Sequence, residues 1–414
     1  MSKDLRHFVR VWLTVSVLFV AIAFVFDALI DPYLVLDTPR IPYINARKPS
    51  VASEEKLMKA YDVTRERPNT LLLGSSSVDL GLDARSSAWP TTDRPVYNLG
   101  LGDGSPYVAY RFLQHVMSNH PPSLVVMGLE LEYFLAASGN RRLESETELR
   151  LNIASDGTPN RNRPWRRVHD IAEATLSLDA LTDSADTLIA NILGRPSDLV
   201  AGNLVSTEPL RFVNSLPLVA TTDLADSKRY RSRPIDPLVM QDLLGIISLC
   251  EEHGTKLILF ISPSRADELE ILDLAGLWRE FEDWKRNLVQ LTATYGRAAA
   301  GQEIPLWDFS GYDMYSAEPL PDEGVFLRWF EDSWHYRYVL GDLIIRRVLG
   351  VDRGSWGVQL TPQNIEAHLE DIRQQQRLYR SHQPEDARRV RDFYESMAAV
   401  RKRALEDVTR NGSL

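Results

Sequence analysis

The chain has 414 residues, 44% hydrophobic and 25% charged, with a net charge of −10. That composition is globular and long enough for one large α/β domain with insertions, or for two smaller domains. The acidic balance argues against nucleic acid as a partner, because phosphate binding relies on Lys and Arg; no G-x-x-x-x-G-K-[ST] loop, H-E-x-x-H helix or cysteine pair is present.

Residues 1–10 form a short basic tail carrying Lys3, Arg6 and Arg10. Residues 11–30 are apolar apart from a few positions, of which Asp27 is the one charge. About 20 such residues cross a bilayer as a helix. The basic flank predicts a cytoplasmic N-terminus, with the main domain outside, periplasmic or extracytoplasmic. A cleaved signal peptide competes, since Ala21-Ile22-Ala23 fits a small-x-small cleavage site. The apolar run continues through Phe24-Val25-Phe26, which suits an uncleaved anchor better.

Residues 31–67 read as a linker and a first helix. Asp31 to Ser53 is rich in Pro and polar residues and predicts a linker. Glu54 to Arg67 has helical character and stops at Pro68. Asn69 to Gly74 is a short apolar strand that breaks at a Gly-Ser turn. Val96 to Leu99 is a second strand, continuing into the turn Gly100-Leu101-Gly102-Asp103-Gly104. An amphipathic helix over Pro106 to Asn119 leads to a third strand, Ser123 to Gly128. Residues from about Leu135 to Arg233 read as an insertion, with one amphipathic helix near Ile171 to Leu193. The helix Pro237 to His253 precedes the strand Lys256 to Ile261; the helix Glu268 to Tyr295 precedes the last strand, Pro305 to Asp308. Cys250, the one cysteine, cannot form an internal disulfide and reads as a buried small hydrophobe. The extension 351–414 is charged and helical, predicting two surface helices on the main domain or on a partner. Continuous apolar strands separated by helices predict a parallel sheet, with ligands at the carboxyl ends of its strands.

Two segments carry chemistry. Gly74-Ser75-Ser76-Ser77 comes directly after the first strand, where a small-residue turn can present a hydroxyl as nucleophile elbows do. Gly and Ser also gather in turns for backbone reasons alone. Asp332-Ser333-Trp334-His335 lies beyond the last strand. A serine hydroxyl needs a base, imidazole serves near neutral pH, and a carboxylate orients the imidazole. The alternative for His335 is a histidine capping a helix over Tyr336 to Leu349. Asp4 to His7 repeats the spacing ahead of the apolar span. Trp329, Phe330, Trp334 and Tyr336 could line a cleft or pack in the core. Arg328 and Arg337 could hold an anion or simply face solvent, and Ser262-Pro263-Ser264-Arg265 reads as a scaffold turn at the same end of the sheet.

In this order the blocks resemble the SGNH (GDSL-like) hydrolase superfamily, from the apolar segment to about Leu349. The resemblance implies a three-layer α/β/α sandwich of flavodoxin-like outline over residues 68–350, with Ser76 as nucleophile, His335 as base and Asp332 as its orienter. It implies an oxyanion donor at the second block, at Gly102 or Gly104. The third block of the family reads Gly-x-Asn; here it is Gly128-Leu129-Glu130. An ionised Glu accepts hydrogen bonds only. So either Glu130 is protonated by burial, or it points elsewhere, or the hole uses backbone donors, or the site is not catalytic. The Gly-Ser-Ser variant and Asp31-Pro32-Tyr33 resemble the membrane-tethered branch concerned with O-acetylation of bacterial polysaccharides and cell-wall polymers. The resemblance thus implies an O-acyltransferase working through an acyl-serine, with an acyl donor, a carbohydrate acceptor and an integral-membrane acyltransferase as partners, and no metal or organic cofactor. A carbohydrate esterase with the same triad and a non-catalytic polysaccharide-binding or scaffold protein are the alternatives.

Overall fold

The computed structural model describes residues 2–102, 104–135, 143–194, 198–200, 203–205, 235–298, 303–320, 325–352 and 354–411. It is a mixed α/β fold built on a six-stranded, mostly parallel sheet. The strands are β1 (Thr70–Gly74), β2 (Val96–Gly100), β3 (Leu124–Leu129), β4 (Asp198–Val200), β5 (Asn203–Val205), β6 (Lys256–Ile261), β7 (Leu306–Asp308) and β8 (Val358–Gln359). The main sheet runs β2-β1-β3-β6-β7-β8, and β4 and β5 form a separate antiparallel pair. The first five strands of the main sheet are parallel and β8 is an antiparallel edge. Every residue of β1, β2 and β3 is buried, which explains their largely apolar character; the buried Asn98 of β2 is the polar exception within them besides Thr70. The register pairs Gly74 with Gly100, Gly128 with Phe260, and Ile261 with Asp308. The turns after β1, β2, β3, β6 and β7 therefore share one rim.

The helices in chain order are α1 (Lys3–Ile30), α2 (Glu55–Glu66), α3 (Ser76–Gly81), α4 (Pro106–Met117), α5 (Leu131–Leu135), α6 (Ser145–Arg150), α7 (Arg163–Leu176), α8 (Leu178–Ile192), α9 (Pro237–Glu252), α10 (Ala266–Leu274), α11 (Trp278–Ala298), α12 (Tyr338–Val348), α13 (Ile365–His382) and α14 (Pro384–Asn411). α1 starts on Ser2, whose side chain accepts from Leu5 N, and ends on Asp31 in the left-handed conformation. Its 28 residues reach about 42 Å at 1.5 Å per residue. Mean hydropathy is 2.6 over an 18-residue stretch of which only 11% is buried, so the helix is long and apolar enough to cross a membrane.

Several expectations are corrected. The helix expected over Ile171 to Leu193 is two helices, α7 and α8, split at Ser177. That residue is extended (φ −91°, ψ 157°) and caps Ala180 N with its hydroxyl. The helix expected over Glu268 to Tyr295 likewise divides into α10 and α11 around Gly276, at φ 74°. α12 begins at Tyr338, with Arg337 rather than His335 at its N-cap. Residues 206–234 of the insertion lie outside the described residues.

The segment 31–53 is tied by hydrogen bonds to the end of α1. The buried Lys48 ammonium donates to the carbonyls of Ile30 and Asp31, at the C-terminal end of α1. Asn45 bridges Leu29 O (2.9 Å) and Pro39 O (3.2 Å). The extension packs on the main domain: Arg380 of α13 binds Glu270 (2.9 Å) and Asp273 (2.6 Å) of α10, and Arg373 binds Glu282 (2.7 Å) of α11.

Candidate active site

Gly74 ends β1 at φ +150°, and a Cβ there would lie 2.4 Å from Val78 Cγ2. The strand turns sharply into α3 only because that position is glycine. Ser75 is the N-cap of α3 and Ser76 its first residue, so the Ser76 N–H lies in the turn that lacks intrahelical acceptors. Three consecutive hydroxyls meet three fates. Ser75 Oγ donates to Glu130 Oε2 (2.6 Å) and accepts from Ser77 N (3.1 Å). Ser77 Oγ faces Trp334 O at 3.5 Å. Ser76 Oγ lies 2.8 Å from His335 Nε2.

His335 Nδ1 lies 2.7 Å from Asp332 Oδ2. A carboxylate can only accept, so the ring proton belongs on Nδ1 and Nε2 is left to accept from Ser76. Asp332 Oδ1 accepts from the backbone N–H groups of Trp334 and His335, both at 2.8 Å. The loop is held from below: Ser333 Oγ donates to Asp267, and Arg265 N donates to Ser333 O (3.3 Å). The turn 262–265 thus borders the site as a scaffold.

Burial pushes the Asp332 carboxyl up, but the His335 ring and two backbone donors outweigh it, and the net position is below the ordinary carboxylate range. Burial pushes His335 down; the hydrogen bond and charge of Asp332, then the charges of Glu130 and Glu331, more than reverse this and leave it above an ordinary histidine. A base must be neutral to accept a proton, so reaction at Ser76 is lost as pH falls through this raised value. Removing a negative neighbour lowers it. In Glu130→Gln the acid limb of the pH–rate profile is therefore expected at lower pH than in the wild type. Stopped-flow acylation by an activated ester across pH 5–9 reads this directly, and an unmoved limb would remove Glu130 from the electrostatics of the base.

Glu130 sits at the rim, just past the end of β3. Oε2 is engaged by Ser75, and Oε1 is buried without a hydrogen-bond partner. It therefore presents acceptors, not the donor of an Asn side chain. Gly102 N donates to Glu55 Oε2 of α2 (3.1 Å), and Gly104 N donates to Leu101 O (2.9 Å). A Cβ on Gly104 would lie 2.3 Å from Gly74 O, so this glycine serves close packing beneath the serine turn. Of the six residues expected at the site, Ser76, His335 and Asp332 are joined; Glu130 is adjacent, and the two glycine amides are already engaged.

Phe330 and Tyr336 are core residues, whereas Trp334 lines a cleft with Glu130, Glu132, Ser262, Glu268 and Leu272. Arg328 lies over the Trp329 ring, and Arg337 pairs with Glu331 at 3.3 Å, so neither is held ready for an anion.

Sequence reasoning missed the support beneath α3. The fully buried Lys59 ammonium contacts Glu55 (2.8 Å), Asp79 (2.7 Å) and Gly100 O. Asn98 of β2 donates to Val78 O (2.9 Å) and Leu82 O (2.8 Å). The Glu55/Lys59 spacing of four was the one visible signal.

No protein-family model matches the chain, and no curated protein matches it.

Proposed function

We propose that the chain is a membrane-anchored serine acyltransferase of SGNH type that moves an acyl group, acetyl by resemblance, onto a hydroxyl of an extracytoplasmic polysaccharide. The observation that carries this reading is the unbroken line Ser76 Oγ–His335–Asp332 at the carboxyl rim of a parallel sheet. His335 Nε2 takes the hydroxyl proton as Ser76 Oγ attacks the acyl carbonyl, and Asp332 stabilises the imidazolium. The first donor for the oxyanion is the Ser76 N–H, because Glu55 holds the Gly102 N–H. His335 returns the proton to the leaving group. A carbohydrate hydroxyl, deprotonated by His335, then attacks the acyl-serine; as the C–Oγ bond breaks His335 returns the proton to Ser76 Oγ, and water in place of the carbohydrate gives the esterase.

In this reading the sheet is the middle layer of an α/β/α sandwich, α1 crosses the bilayer with a cytoplasmic N-terminus, and an integral-membrane acyltransferase is the source of acyl groups. A second reading, a non-catalytic polysaccharide-binding or scaffold protein, is favoured by the engaged Gly102 amide and by a carboxylate at position 130. An acyl ester supplied with and without a neutral oligosaccharide, with products identified by mass, separates the outcomes. Acylated oligosaccharide is expected, rising with acceptor concentration. Free acid alone at every acceptor concentration leaves hydrolysis, and no turnover in either arm leaves binding.

A further inference from the structure

The helices α7 and α8 are amphipathic the wrong way round for a water-facing hairpin. The inward face of α8 is small and polar: Ala180, Ser184, Thr187 and Asn191 are buried. Asn191 exchanges hydrogen bonds with the Arg47 backbone (2.9 and 2.8 Å), and Asp183 accepts from Tyr33 OH (2.5 Å). In α7 the buried face carries Asp170, bound by Arg150 (2.9 Å), Arg166 and Tyr61 (2.6 Å). Ile171 packs inward on a small cluster that includes Tyr33 and Tyr61, but six large apolar side chains point the other way. Trp165, Val168 and Leu176 of α7 and Leu178, Ile189 and Ile192 of α8 are exposed, with Trp165 at 78% and Leu178 at 79%. Their spacing places them on one stripe of each helix. A surface helix ordinarily buries such a stripe; six side chains facing water on two adjoining helices form a patch that needs an apolar partner.

The fold says what that partner is. Both helices pack against α1. The buried residues of α1, Asp27 and Ile30, lie in its last turn, while Ile22, Val25 and Leu29 stay exposed beside them. The outward stripes of the hairpin therefore adjoin the apolar surface of the membrane-spanning helix.

We infer that the α7–α8 hairpin is an interfacial element, immersed by its outer face in the bilayer leaflet that α1 enters, with lipid as its occupant. It would hold the Ser76 rim at a fixed height above the membrane instead of leaving it on a swinging tether. This inference rests on the reading of α1 as a membrane span, and the experiment keeps the two apart. The full chain is reconstituted in vesicles of phosphatidylethanolamine and phosphatidylglycerol with a nitroxide on a single added cysteine: Leu178→Cys, Ile192→Cys, Asp186→Cys as the polar-face control, or Leu18→Cys within α1. The native Cys250 is buried and stays in place. Collision with oxygen is expected to exceed collision with a water-soluble nickel chelate at 178, 192 and 18, and the ratio inverts at 186. Labels at 178 and 192 as aqueous as at 186, with 18 in the bilayer, overturn the hairpin proposal alone. An aqueous label at 18 as well overturns the anchor with it. Labels at 178 and 192 that are aqueous in these vesicles but shielded in native membranes point to a protein partner and also overturn the lipid assignment.

Discussion

Replacing Ser76 by Ala is expected to reduce turnover of an acyl ester by about 10⁵- to 10⁶-fold, with His335→Ala costing about as much. The double variant should be no worse than either single one, because an alcohol without its base and a base without its alcohol are equally idle. Asp332→Asn should cost about 10⁴-fold. The reason is geometric. Asp332 accepts from the His335 ring and from two backbone amides, so an amide placed there offers its NH2 toward a ring nitrogen that is itself a donor. The tautomer that leaves Nε2 free to accept from Ser76 is then disfavoured. Steady-state kinetics on the folded full-length variants reads all four values. A Ser76→Ala variant retaining wild-type turnover would move the chemistry to another residue.

The second large effect is on stability. Lys59→Met is expected to destabilise the fold by about 3–5 kcal/mol, the usual consequence of leaving buried charge uncompensated. Lys59 is fully buried; its side chain faces Asp79, 5% exposed, and Glu55, 14% exposed. Burial pushes this ammonium down, yet the charges and hydrogen bonds of Asp79 and Glu55 raise it above an ordinary lysine. A raised lysine stabilises the fold at every pH below its unfolded value, and the contribution is lost only as pH rises through the folded one. The Lys59 ammonium should therefore stay charged, and its contribution to the wild-type fold constant, between pH 6 and 9. The urea midpoint of the full chain in detergent measures it. Adding Asp79→Asn and Glu55→Gln to Lys59→Met should restore a large part of the loss, since no charge is then left alone. Failure of that rescue would mean that lost packing, not lost charge compensation, dominates.

Legibility in the sequence depends on whether a feature is local. β1, β2, β3 and β6 lie within a residue or so of their expected spans because each is buried throughout or nearly so, and hence written as a mostly apolar run. The breaks at Ser177 and Gly276 were missed because the apolar period continues across them, while only the backbone turns. β8 is two residues long and owes its existence to pairing with Trp307 and Asp308, so no local pattern announces it. α3, six residues including two serines and a glycine, is held by Asn98 and Lys59 rather than by propensity.

At the site, the serine turn and Asp332–His335 were readable because each is local. The contact that joins them is not: Ser76 and His335 are 259 positions apart. The fate of the Gly102 amide was equally hidden, since its acceptor, Glu55, comes from a helix that sequence alone treated as a prelude to the domain. Ser75, read as one of three similar hydroxyls, is singled out only by Glu130 across the rim.

The most direct measurement is where a fluorophosphonate lands. The full-length chain is treated with the probe, digested, and the adduct placed by tandem mass spectrometry. One adduct is expected, on Ser76, absent in Ser76→Ala and strongly slowed in His335→Ala. No adduct in the folded wild type, or one elsewhere that survives Ser76→Ala, would contradict the role of Ser76 as nucleophile.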